Sequence, residues 1–340
     1  MRTKGHRGPL EGGNAGGVRS ISALPNYYRD SLNRSVRFGA RFGGAQPKGH
    51  GELRDRPGRP GAAPRPLTLI RMTSRAPRPL GTVTRGTTNP NRLRRMDRWI
   101  TAAHGAELRR AAHPVAIDLG YGAAPWTAVE LLRRLRTAAP RTRVVGVEID
   151  PARVVAARPY EREGLRFRHG GFEVPVEGRP TLIRAANVLR QYDEDEVAEV
   201  WERLRARLAP ATGASRGGLL VEGTCDEIGR RHVWVALGPE GPRTVTFATR
   251  LGSLERPSDL AERLPKALIH RNVPGEAVHT FLRDFDRAWA AAAPYASYGA
   301  RQRWIRTVHT LAADWPVRDG VSRWRQGEVT VAWEALAPRC

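Results

Sequence analysis

At 340 residues, 40% of them hydrophobic, the chain can bury a full core in one or two domains. It holds no apolar run near the roughly 18–20 residues that a membrane span needs, and its opening residues lack the apolar stretch of a signal peptide. Two cysteines, Cys225 and Cys340, are too few for a disulfide framework or a zinc site and point to free thiols in a cytoplasmic protein.

The formal charge of +23 invites a nucleic-acid partner. Only three of the 57 basic residues are lysines, however, and alanine, glycine and proline are abundant, a pattern that GC-rich codons produce. The charge is also uneven. Residues 1–71 hold fourteen basic and four acidic residues, a net of +10, which leaves the remainder only moderately basic. This Gly/Arg/Pro-rich stretch shows no period of 2 or 3.6 and is expected to be disordered. Two readings of it stand: a basic tail that touches nucleic acid, or sequence upstream of a true start at Met72.

Residues 72–112 form a basic helical segment. In "NPNRLRRMDRWITAAHGAEL", Leu93, Met96, Ile100 and Ala103 recur at spacings of three and four, with Arg92, Arg94, Arg95 and Arg98 mostly off that face. Asn89 is the expected N-cap and Pro90 the first helical residue. A helix covering a sheet is favoured here over a nucleic-acid contact.

Over 113–250 the periodicity alternates. "VAIDL", "RVVGVE", "LRFRH", "TLIRAANVL" and "GGLLVEG" read as strands. Between them, "PWTAVELLRRLRTA", "DPARVVAARPYERE" and "DEDEVAEVWERLRARLA" read as helices. Asp150 caps the second helix, with Pro151 in its first turn, and Asp193 with Glu196 is a capping pair for the third. Strands alternating with helices of this length predict a doubly wound, mostly parallel α/β sheet with ligands at the carboxyl ends of its strands. "RHVWVAL" and "RTVTFATRL" predict an antiparallel hairpin about the turn "GPEGP". Residues 251–340 predict a helical elaboration over the cleft and a last strand, "EVTVAWEAL". Within it Val278, Phe281, Leu282, Phe285 and Trp289 form one stripe, and Tyr295, Tyr298 and Trp304 are candidates for an aromatic pocket.

In "VAIDLGYGAAP" a carboxylate, Asp118, precedes the glycines of a strand-to-helix turn. Such turns usually hold phosphate on backbone N–H groups, and a carboxylate there repels phosphate. It suits a cationic ligand. S-adenosylmethionine presents an α-ammonium and a sulfonium and carries no phosphate. Asp118 is thus the candidate acceptor for its amino-acid end, with Gly120, Tyr121 and Gly122 as the backbone that approaches it. Glu148, closing the second strand, is placed to accept from a ribose diol.

These stretches resemble the first and second motifs of the class I S-adenosylmethionine-dependent methyltransferases, a likeness covering about residues 113–223. The resemblance implies a Rossmann-like domain with a seven-stranded sheet whose last strand is antiparallel. It puts Phe172 of "HGGFEV" beside adenine, with Gly171 where an acidic residue often stands, and Asn187 of "RAANVLRQY" beside the methyl group. The expected activity is methyl transfer from S-adenosylmethionine, with a small-molecule acceptor favoured over RNA. A nicotinamide-dependent oxidoreductase and a non-catalytic cofactor-binding protein are the alternatives. No catalytic base and no metal site are assigned.

Overall fold

The structure, a computed structural model, describes residues 79–84, 86 and 88–338. The readings of residues 1–71 and of a start at Met72 lie outside the described residues. The elements run α1 (Arg94–Arg110), β1 (Val115–Leu119), α2 (Trp126–Arg136), β2 (Arg143–Glu148), α3 (Pro151–Ala157), β3 (Leu165–His169), β4 (Leu182–Ala186) and α4 (Glu194–Arg207). They continue as β5 (Leu219–Cys225), β6 (Arg231–Gly238), β7 (Gly241–Thr249) and α5 (Lys266–Ile269). The last are α6 (Ala277–Ala291), α7 (Ala300–Asp314), α8 (Val321–Trp324) and β8 (Glu328–Ala332).

The described strands make one eight-stranded sheet in the order β3-β2-β1-β4-β5-β6-β7-β8. The pairs among β1 to β5 are parallel and the pairs from β5 to β8 antiparallel. The doubly wound Rossmann-like reading holds, as does the hairpin of β6 and β7. The seven-stranded sheet with one antiparallel strand does not: β8 adds an eighth strand at the edge, and the antiparallel pairing starts already at β5–β6 for a local reason. β5 leaves by a short turn with no helix, and a connection that short permits only antiparallel pairing. The Asp226 carboxylate fixes the turn by accepting from the Arg230 and Arg231 N–H groups at 2.7 and 3.1 Å.

Both faces of the sheet are covered. Met96, Ile100, Leu131 and Leu135 of α1 and α2 pack on one side. Trp201, Leu204, Phe281, Phe285 and Trp304 of α4, α6 and α7 pack on the other. Burial on both faces is why β1, β2, β4 and β5 read as largely apolar runs, whereas the edge strand β3, "LRFRH", alternates buried and exposed residues. Asp150 caps α3 by accepting from the Ala152 N–H at 2.8 Å, and Asp193 with Glu196 closes a capping box on α4.

Three expectations are corrected. α1 begins at Arg94, not at Pro90: Asn91 is left-handed at φ 62° and its N–H donates to the Glu130 carboxylate at 2.8 Å, which holds the chain in a turn. The helical elaboration after β7 packs on the α4 face of the sheet, and of residues 251–327 only Arg263 lines the cleft. The aromatic pocket does not form, because Trp304 is buried against Phe285 while Tyr298 is 76% exposed.

Candidate functional site

Between β1 and β4 the strand order reverses, and the chain leaves the two strands in opposite directions. A crevice opens there for topological reasons. It is a cleft of about 800 Å³, lined by Asp118, Gly120, Tyr121, Gly122 and Asn187 together with residues of the segment before α1. Gly120 and Gly122 take φ of 65° and 84°, left-handed values that a side chain would strain.

Asp118 is 2% exposed and is not alone. Its Oδ2 accepts from Thr127 Oγ1 at 2.6 Å, and its Oδ1 accepts from Arg184 Nε at 3.1 Å and meets Nη2 at 2.8 Å. Arg184 also pairs with Asp97 of α1, and Arg134 bridges Asp97 at 2.5 Å and Glu130 at 3.0 Å. Burial pushes the Asp118 carboxyl upward, and the Arg184 charge and the Thr127 hydroxyl oppose it. Arg184, fully buried between two carboxylates, stays protonated.

Arg184 was legible in principle. It interrupts the apolar strand "TLIRAA", and its register partner across the parallel β1–β4 pair is Asp118. Asp97 was hidden because it lies among the apolar residues of α1, where a single carboxylate reads as an exception.

Glu148 sits on the other side of a partition. Its Oε2 accepts from the Gly122 N–H at 2.9 Å, its Oε1 accepts from the Ile149 N–H at 3.1 Å, and Arg153 stands 3.6 Å away. Together with Phe172 it lines a second cavity of about 20 Å³. Thr82, Thr84 and Gly120 line both cavities, so residues 80–84 divide one from the other.

This strap is tied down at several points. The Phe172 N–H donates to the Leu80 carbonyl at 2.9 Å, and the Thr82 N–H donates to the Tyr192 hydroxyl at 2.6 Å. Arg153 Nη2 donates to the Thr84 carbonyl at 2.9 Å. A Cβ on Gly171 would collide with the Leu80 carbonyl, so glycine here serves the crossing of the strap. Phe172 packs on Tyr192 with centroids 5.3 Å apart.

Tyr121 turns away from the cleft. Its ring is 3% exposed, set edge-on to Phe167 at 5.2 Å, and its hydroxyl donates to the Arg153 carbonyl at 3.2 Å. Burial, then the Glu148 charge, raises its pKa. What it offers the site is its carbonyl, which accepts from Thr88 Oγ1 at 2.8 Å. Asn187 closes β4 at φ 62°. Its Oδ1 accepts from the Cys225 N–H at 2.9 Å, and its Nδ2 lies 3.2 Å from Cys225 Sγ.

The arginines of the α1 region serve mainly as ties. Arg92 Nε donates to the Asp226 carbonyl at 3.0 Å, Arg95 Nη1 donates to the Gln326 carbonyl at 3.0 Å, and Arg98 bonds the Gln326 side chain. Sequence reasoning gave no role to Arg190 or Arg263, which also line the cleft.

No family model matches the chain, and no curated protein does. Among solved structures it is similar to a riboflavin-analogue dimethyltransferase from Streptomyces davawensis (17% identity, TM-score 0.27, 36% of this chain and 37% of that one). It is also similar to human N-acetylserotonin methyltransferase in complex with S-adenosylmethionine (22%, 0.25, 38% and 37%). A third is a Plasmodium falciparum chain assigned as a protein-L-isoaspartate O-methyltransferase, in complex with S-adenosyl-L-homocysteine (15%, 0.27, 43% and 66%). The likeness spans less than two thirds of each of these chains. What the cleft can do follows from its own residues.

Proposed function

We propose that the cleft binds S-adenosylmethionine and transfers its methyl group to a small-molecule acceptor. The observation that carries this reading is the cleft itself. It lies at the strand-order switch, its glycine turn is backed by a carboxylate, and at about 800 Å³ it falls within the range of small-ligand sites. When bound, the sulfonium cofactor supplies an activated methyl group. The chain's part is to orient donor and acceptor and to exclude water.

Asp118 supports the amino-acid end. A carboxylate has about four acceptor positions, and the contacts from Thr127 and Arg184 leave room for a cation. Glu148 and Phe172 are the residues for the sugar and the base. With residues 80–84 in place, their cavity of about 20 Å³ admits roughly one water and no purine. Binding of the adenosine end therefore requires the strap to lift from Phe172 and Tyr192. The small acceptor is favoured over RNA because Arg92, Arg95 and Arg98 are engaged within the chain.

The test is calorimetric titration of the full chain with S-adenosylhomocysteine and with NADH. S-adenosylhomocysteine is expected to bind and NADH not. Glu148→Gln should weaken that binding roughly tenfold or more, since a lost charged hydrogen bond costs about 1.5–3 kcal/mol. NADH binding without S-adenosylhomocysteine binding overturns the proposal in favour of an oxidoreductase. Asp118→Ala is the wrong variant, because it strips Arg184 of a buried partner and confounds affinity with folding.

A further inference from the structure

The wall of the cleft beyond Asn187 is cationic. Arg190, just after β4, and Arg263, before α5, both line it. Their ordinary partners are weak. Arg190 Nη1 donates to the Glu262 carbonyl at 2.9 Å, a neutral acceptor. Arg263 Nη2 lies 3.7 Å from the Glu262 carboxylate, which is 62% exposed and is shared with Arg231 at 3.4 Å. The Nε of Arg263 is buried with no hydrogen-bond partner among the described residues. Of the carboxylates lining the cleft, Asp118 is held by Arg184, and Glu227 is the other.

Burial, and then the positive charge of Arg263, lower the pKa of Arg190 despite the smaller opposing pull of the Glu262 carboxylate, so the two guanidiniums sense each other. Like charges brought together on a partly desolvated wall cost free energy unless an anion sits between them. Guanidinium forks fit planar or tetrahedral oxyanions better than they fit water.

We infer that the acceptor of this site is a small molecule bearing an oxyanion group, carboxylate or phosphate, held by Arg190 and Arg263 on the cleft wall beyond Asn187. The inference rests on the proposed methyl transfer for the word acceptor. The anion site itself stands on the two arginines alone. Its contribution is to orient the molecule, and a neutral analogue loses that hold. Because the wall is open to solvent, added salt weakens it.

The probes are benzoate, phenyl phosphate and the neutral benzamide, titrated into the full chain at low ionic strength with and without S-adenosylhomocysteine. Either anion is expected to bind at least about tenfold more tightly than benzamide. Arg190→Gln and Arg263→Gln should each weaken the anion roughly tenfold, and Arg190→Lys and Arg263→Lys should restore part of the loss. S-adenosylhomocysteine affinity should change less than about threefold in all four variants, which also reports that they are folded. Tighter phenyl phosphate supports a phosphate acceptor and tighter benzoate a carboxylate. Equal binding of anions and benzamide, or anion binding unchanged in the double Gln variant, overturns the inference. So does loss of single-stranded RNA binding in these variants with no effect on the small anions. Failure of S-adenosylhomocysteine to bind the wild-type chain sinks the methyl-transfer reading instead, whatever the anions do.

Discussion

The two ends of the cleft are cut from one sheet and filled in opposite ways. At the β1–β4 end, Asp118 faces about 800 Å³ of space, with its charge balanced from behind by Arg184. At the β2–β3 end, Glu148 and Phe172 face about 20 Å³, because residues 80–84 lie across them. One sheet edge thus backs its two carboxylates with two kinds of partner. Behind Asp118 the partner is a buried ion-pair network that fixes the wall. Over Phe172 it is a strap held by a few hydrogen bonds, which a ligand can displace.

The largest loss is expected at the fixed end. Arg184→Met leaves Asp118 buried without its cation and Asp97 with Arg134 alone. It should destabilise the protein by about 3–5 kcal/mol, the usual result of removing one member of a buried pair, as read from urea unfolding. A loss below about 1 kcal/mol would mean that the network is not what holds that wall.

A second test concerns another buried carboxyl on the same sheet. Glu222 of β5 is fully buried, and no hydrogen-bond partner meets its oxygens among the described residues. Burial pushes its pKa to about 8 from 4.5, and the nearby Trp201 indole N–H, which lies outside hydrogen-bond geometry, opposes this only in part. The folded state therefore binds the proton more tightly than the unfolded state. Its contribution is full below about pH 4.5 and is lost as pH rises toward 8. Glu222→Gln should remove that decline and raise stability at pH 8 by about 1–3 kcal/mol. His232 works the other way. Burial and nearby arginines lower its pKa to about 3 from 6.5, so its contribution is lost as pH falls through that interval. Unfolding curves across pH 4 to 9 separate the two.

The smallest expected effect sharpens the displaceable end. Gly171→Ala places a Cβ against the Leu80 carbonyl. It should speed amide exchange of Leu80 and Thr82 at least tenfold while costing the global fold under about 1 kcal/mol. A fall in stability as large as that of Arg184→Met would mean that the strap belongs to the core.

Legibility followed the same division. The alternating half of the sheet could be read because each strand and helix shows its own period, and the caps at Asp150 and Asp193 name their helices. The order of β6, β7 and β8 could not, because sequence marks a hairpin but not the edge it joins. The glycine turn was visible. Its environment was not, because Arg184 stands beside Asp118 only once the register of β1 and β4 is known, and residues 80–84 carry no periodicity by which to place them over the cleft. Arg190 and Arg263 were invisible for a plainer reason. In so arginine-rich a chain, two more arginines give no signal until the fold brings them to one wall.

The proposed cofactor competes with the strap for the Glu148 and Phe172 end, while the Asp118 end receives it unchanged. Hydrogen–deuterium exchange of the full chain, with and without saturating S-adenosylhomocysteine, tests this directly. Binding is expected to accelerate exchange at Leu80 and Thr82 and to slow it at Gly120 and Gly122. Slower exchange at all four positions, or no change at the strap on saturation, would contradict it.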